Sequence, residues 1–144
     1  MIKEIGETFL GNMFSFSIEI LKIMPPVLVL MALLESWVPK GLIELHLGKK
    51  SGIKGIALSI LLGTTAAGPL FAAFPVAASM RKQGASISNL VIFLGSWSTI
   101  KIPLLILESN FLGVEFALWR FVITLPLIIL IGFFMERFGK IELS

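Results

Sequence analysis

Cysteine, tyrosine and aspartate are absent from this 144-residue chain, and histidine occurs once. Without cysteine there is no disulfide framework, no thiolate nucleophile and no zinc–thiolate site. A lone His46 falls short of the three or four ligands a zinc centre needs, so no metal or cofactor is expected. A Ser–Lys pair built from Ser96 or Ser98 with Lys101 is the one nucleophilic arrangement open to the chain. No motif supplies an oxyanion site beside it, and an enzyme is not expected. Charge is also scarce, at 15% of residues where soluble domains carry about 25%. The net charge of +3 is dispersed, and no basic run alternates with aromatics, which argues against a nucleic-acid partner. No Gly-x-x-x-x-Gly-Lys loop is present, so nucleotide-driven coupling within this chain is not expected.

Apolar residues make up 56% of the chain, more than a core of this size absorbs, and the lipid bilayer is the partner that absorbs it. The expected fold class is an all-α integral membrane protein, multi-pass in the cell (plasma) membrane, with one permease-sized domain over residues 1–144. Four hydrophobic segments are expected, at about 23–38, 55–80, 90–107 and 116–135, against the roughly 20 residues a crossing helix needs. Pro25-Pro26 is expected to break or kink the first, because proline removes a helix hydrogen bond and clashes with the preceding turn. Phe9 to Leu21 can extend that segment upstream as an amphipathic stretch. Glu4 and Glu7 beside Lys3 do not fit a cleaved signal. Between the first and second segments, Pro39 to Lys54 mixes Leu42, Ile43, Leu45 and Leu47 with Lys40, Glu44, Lys49 and Lys50. That pattern predicts a short helix lying in the membrane interface.

The second segment is uncharged, yet its centre reads Gly63-Thr64-Thr65-Ala66-Ala67-Gly68-Pro69, with Pro75 beyond. The modest expectation is a kinked helix whose small residues permit close packing. The sharper one is two half-helices meeting near the midplane, broken or re-entrant at Gly63–Pro69, with their ends lining a site. Charge distinguishes the two. If the segment crosses, Lys3, Lys22, Arg81, Lys82, Arg137 and Lys140 face Lys40, Lys49, Lys50, Lys54 and Arg120, six against five. If it re-enters, Lys40, Lys49, Lys50, Lys54, Arg81, Lys82, Arg137 and Lys140 share one face against Lys3, Lys22 and Arg120, eight against three. The second count gives a clear cytoplasmic side by the positive-inside rule and favours re-entry, with the N-terminus outside. The near-even first count is also what a dual-topology dimer shows.

The third segment holds the remaining polar residues, in GSWSTIKIPLLILES: Ser96, Ser98, Thr99, Lys101 and Glu108. A lysine inside a span costs about 2.5–3.5 kcal/mol on insertion scales, so Lys101 is expected to face protein or water, where it can attract an anion or exchange a proton. Glu108 lies two helical turns on, roughly 10 Å along the axis, on about the same face. The plainer readings are that Lys101 snorkels, that Glu108 sits at the outer surface, that Arg120 reaches an interface, and that Trp37, Trp97 and Trp119 anchor interfaces. For Thr64 and Thr65 the plainer reading is bonding to carbonyls of their own helix.

GTTAAGPLFAAFPVAASMRKQGAS followed by FLGSWSTIKIPLLILESNFLGVEFALWRF resembles the permease family that includes the organoarsenical-efflux permeases. The carriers are the Gly-Pro…Pro element before Lys-Gln-Gly-Ala, and the Trp-Ser-x-x-Lys-x-Pro…Glu…Leu-Gly run. The resemblance covers most of residues 25 to 135. Members are typically longer, with two related halves, so it implies a half-size permease pairing as a homodimer or as a heterodimer with a sister half. Thiol-dependent metalloid handling does not carry over to a chain without cysteine. The expected function is movement of a small solute or ion through a pathway at the dimer interface. Thr64, Thr65, Gly68 and Pro69 are expected to form the midplane turn, and Ser96, Ser98, Thr99, Lys101 and Glu108 to face the pathway. The alternative is a non-transporting membrane scaffold subunit of a larger complex.

Overall fold

The computed structural model describes residues 1–66 and 68–139, with Leu34, Glu35 and Lys40 as backbone only. Ala67 of the expected turn and Lys140 of the charge count therefore lie outside the described residues. The described chain is all-helical: α1 (Ile2–Trp37), α2 (Lys40–Leu47), α3 (Gly52–Thr65), a 3₁₀ turn at Leu70–Ala72, α4 (Ala73–Lys82), α5 (Ile87–Thr99), α6 (Ile102–Leu112) and α7 (Val114–Gly139). By length and composition, α1, the α5–α6 pair and α7 are long and apolar enough to cross a membrane, while α3 is apolar but shorter. The chain is therefore a multi-pass membrane protein.

The distribution of side chains is that of a body immersed in hydrocarbon. Ser59, Ser79, Ser86, Ser88, Asn89 and Ser96 are buried, while Phe14, Leu30, Trp119, Leu130 and Phe134 face outward. Water would penalise that arrangement heavily, whereas lipid tails match the outer side chains and leave packing and hydrogen bonds to hold the helices.

Helix α1 differs from expectation in both extent and continuity. It starts at Ile2, and it runs through Pro25 and Pro26 without a break. Each proline removes one backbone bond, but the two losses fall within one turn and the intact turns on either side carry the helix across. At about 1.5 Å per residue α1 is ~54 Å long. Only its later part is partly covered, at Ile18, Ile20, Ile23, Met24, Val27 and Met31, while residues 1–17 are exposed throughout.

Helices α3, α4 and α7 pack around α5, while α1 packs on α4, α2 on α3 and α6 on α7. Contacts at Gly55 with Asn89, and at Gly63 with Phe93 and Ser96, show that α3 and α5 run in the same direction. A Cβ on Gly63 would lie 2.6 Å from the Phe93 carbonyl oxygen and from the Ser96 Cβ, so the helices meet with no room for a side chain. Helix α7 runs opposite to α5, with Gly132 on Ile92 and Gly95 on Ile128. These are the small-residue crossings that replace hydrophobic drive inside a membrane.

For α3 and α5 to run alike, the chain between them must double back. Helix α3 ends at Thr65, Gly68 takes φ +107, and the 3₁₀ turn and α4 return the chain. Pro69 precedes the 3₁₀ turn and Pro75 falls in the first turn of α4, where a missing N–H costs nothing. At the far end the Ser86 N–H donates to the Leu47 carbonyl at 2.8 Å. The exit of α4 thus lies beside the entrance to α3, and residues 52–82 form a helical hairpin. Its first arm, 14 residues, measures ~21 Å, short of the roughly 30 Å hydrocarbon core.

The third expected segment is also broken in two. Pro103 stands in the first turn of α6, so it has no N–H to offer the Thr99 carbonyl, and α5 ends there. The Ile100 N–H closes α5 on the Ser96 carbonyl, and Lys101 caps α6 in an extended conformation.

Candidate functional site: the hairpin tip against the α5–α6 break

The two interruptions face each other. The Gly68 carbonyl, at the hairpin tip, accepts a hydrogen bond from Trp97 Nε1 at 3.2 Å and another from Lys101 Nζ. The lysine ammonium also lies 5.8 Å from the centroid of the Trp97 ring. That ring is held edge-on by Phe93, with centroids 5.5 Å apart. Gly68, Trp97 and Lys101 thus form one cluster, where a broken hairpin meets a broken helix. Both breaks leave backbone groups without helical partners, which hydrocarbon tolerates only where protein or water satisfies them.

The other sequence-identified residues divide around this cluster. Pro69 caps the 3₁₀ turn immediately after Gly68. Thr64 Oγ1 donates to the Ile60 carbonyl at 2.9 Å, and Thr65 Oγ1 to the Leu61 carbonyl at 2.7 Å. Thr64 also lines a cavity of about 440 Å³ with Ile60, Ile100, Ile102 and Phe121. Ser98 and Thr99 both donate to the Gly95 carbonyl, at 3.0 and 2.7 Å. Ser96 is fully buried at the Gly63 crossing, and its Oγ has no partner among the described residues. Glu108 is not brought to Lys101. Its Oε2 accepts from Arg120 Nε of α7 at 2.6 Å, with both side chains mostly covered.

Residue-level reading of the sequence missed two roles here. Trp37 and Trp119 are 77% and 62% exposed, as interfacial anchors would be, but Trp97 is buried and bonded to the hairpin tip. The available signal was its position four residues before Lys101, one helical turn away. Arg120 is turned onto Glu108 and not outward. That pairing joins two helices, and spacing along one helix could not reveal it.

A second polar cluster closes the base of the hairpin. Asn89 Nδ2 donates to the Leu47 carbonyl at 2.9 Å and to Ser51 Oγ at 3.0 Å. Ser86 Oγ caps α5 by accepting from the Asn89 N–H at 3.2 Å. Arg81 Nη1 spans the adjoining loop to the Ala85 carbonyl at 2.9 Å. Among the described residues no group of His, Asp or Glu is placed to hold a metal ion.

A profile of the ArsP_1 family, described as a predicted permease, matches residues 7–142. No curated protein and no solved structure matches the chain.

Proposed function

We propose, from the premise that this chain belongs to the ArsP_1 family of predicted permeases, that it is a permease subunit whose solute path passes the cluster of Gly68, Trp97 and Lys101. The observation that carries this reading is the meeting of two helix breaks at one lysine. Discontinuous helices at the midplane are how many transporters build a site, since half-helix ends present free backbone groups to a solute.

In this reading the α3–α4 hairpin re-enters the membrane from the cytoplasmic face and stops near the midplane. Helix α2 lies along that face. The N-terminus is outside, α1 crosses inward, α5–α6 cross outward, and α7 returns. Lys49, Lys50, Lys54, Arg81, Lys82 and Arg137 then share the cytoplasmic side. The hairpin tip needs cover in a bilayer, and residues 1–17 of α1 are exposed. A second half, either another copy or a sister chain, covers both, and the pathway lies between the halves. Thr64, Thr65 and Pro69 shape the tip, and Ser96, Ser98 and Thr99 the opposing helix end. Glu108 contributes through its pairing with Arg120, which ties α6 to α7.

The test is counterflow in proteoliposomes holding the full chain, using labelled phosphate, lactate, urea and choline as probes. Protein-dependent movement of at least one probe is expected, and Lys101→Met reduces it at least tenfold while insertion and cross-linked dimer remain. Equal movement by Lys101→Met removes Lys101 from the path. No movement of any probe, together with a partner protein retained in mild detergent, supports the scaffold reading instead.

A further inference from the structure

We infer that the solute passing Lys101 is a small anion. This rests on the pathway reading above and adds the sign of the cargo's charge. Among the described residues the polar partners of the Lys101 ammonium are neutral: it donates to the Gly68 carbonyl and lies by the Trp97 ring. The ion pairs among the described residues are the N-terminal amine with Glu4 and Arg120 with Glu108. The carboxylate closest in sequence is therefore already committed to an arginine on another helix. Glu19 of α1 is exposed and enters no ion pair there.

A cation at this position also stands at the N-terminal end of α6, which it caps. The first N–H groups of a helix have no intrahelical acceptor, and the helix dipole is positive at that end. The ammonium and the dipole thus add where an acidic residue would normally offset them, and the first turn of α6 contains none. A positive charge held against both lipid and dipole is stabilised when a negative one arrives. No described residue of this chain delivers it, and in the pathway reading the cargo does.

A separate observation at the other end of the hairpin agrees. An open cleft of about 650 Å³ between α2 and the α4–α5 turn is lined by Lys49, Lys50 and Arg81, with Glu44 as its one carboxylate. Lys49, Lys50 and Arg81 have no ion-pair partner among the described residues. A cleft of one predominant sign raises the local concentration of the opposite ion and speeds its capture. Both the cytoplasmic mouth and the midplane cluster therefore select for negative charge.

Trp97 provides a probe at the site, because its ring is in contact range of the Lys101 ammonium. The full chain with Trp37→Phe and Trp119→Phe, both outward-facing positions, leaves Trp97 as the sole indole. In proteoliposomes its fluorescence is quenched by iodide, caesium and neutral acrylamide in parallel. The expected iodide constant is about fivefold above that of caesium, falls to parity in Lys101→Met, and persists in Lys101→Arg. Iodide no better than caesium, an iodide preference unchanged in Lys101→Met, or no quenching by any of the three overturns the inference. Counterflow of urea or choline without an iodide preference sinks the anion assignment and leaves the permease intact. An iodide preference without counterflow leaves an anion site and sinks the pathway.

Discussion

The base of the α3–α4 hairpin and its tip are held by different means. At the base the Leu47 carbonyl takes two donors, Asn89 also reaches Ser51, and Ser86 caps the helix that Asn89 belongs to. These bonds link α2, α3 and α5 across long stretches of sequence. At the tip, the hydroxyls of Thr64 and Thr65 are turned back into α3, and one carbonyl receives both Trp97 and Lys101. Releasing the tip breaks the two bonds at Gly68 and the packing of Ala72 and Ala73, whereas releasing the base dismantles a hydrogen-bond network. In alternating access one part must stay fixed while another changes partners. In the proposed topology the hydrogen-bonded base of the hairpin is the fixed part and the contact at Gly68 the adjustable one.

The contrast can be broken most severely just below the tip. Gly63→Val forces a side chain to where Phe93 and Ser96 already stand 2.6 Å from the position of its Cβ. A loss of about 3 kcal/mol is expected from such overpacking, measured as a lowered midpoint in detergent unfolding. An unchanged midpoint would mean that α3 and α5 do not meet there. At the base, Asn89→Leu removes the donor to Leu47 and Ser51 and should cost about 1–3 kcal/mol. Lys101→Met at the tip should move stability the other way, by on the order of +1 kcal/mol, because it removes a charge from the apolar span. Opposite signs for these two substitutions sharpen the distinction between anchor and working contact, and equal losses would erase it. Smallest of all, Thr65→Val should shift stability by less than about 0.5 kcal/mol, since its hydroxyl bonds only within its own helix and such back-bonds contribute little.

The parts of this architecture written in local chemistry were legible without coordinates. Gly68-Pro69 marks the interruption of the second segment, because glycine and proline act on the backbone where they stand, whereas the break before Pro103 falls inside a segment expected to be one span. The amphipathic run after Pro39 marks α2 in the same way. What was hidden depends on contacts between distant segments. Glu108 was visible as a buried-charge candidate, yet its partner Arg120 lies on the next helix. Trp97 has the composition of an interfacial anchor and becomes part of the cluster only because the hairpin tip arrives beside it. Asn89, set in an apolar run, gave no hint that its partners lie near residues 47 and 51. Pro25-Pro26, expected to break or kink the first segment, does not break it: helix continues on both sides of the pair.

In the proposed topology residues 52–82 enter and leave the membrane on one side, so that the tip meets Lys101 at depth. The absence of native cysteine allows a direct test with single Lys50→Cys, Lys82→Cys and Asn110→Cys variants, all at exposed positions. A membrane-impermeant thiol reagent is applied to intact and to lysed cells. Lys50→Cys and Lys82→Cys are expected to be labelled only after lysis, and Asn110→Cys in intact cells. Labelling of Lys50→Cys and Lys82→Cys from opposite sides would show that the segment crosses, and would contradict the re-entrant hairpin on which the pathway depends.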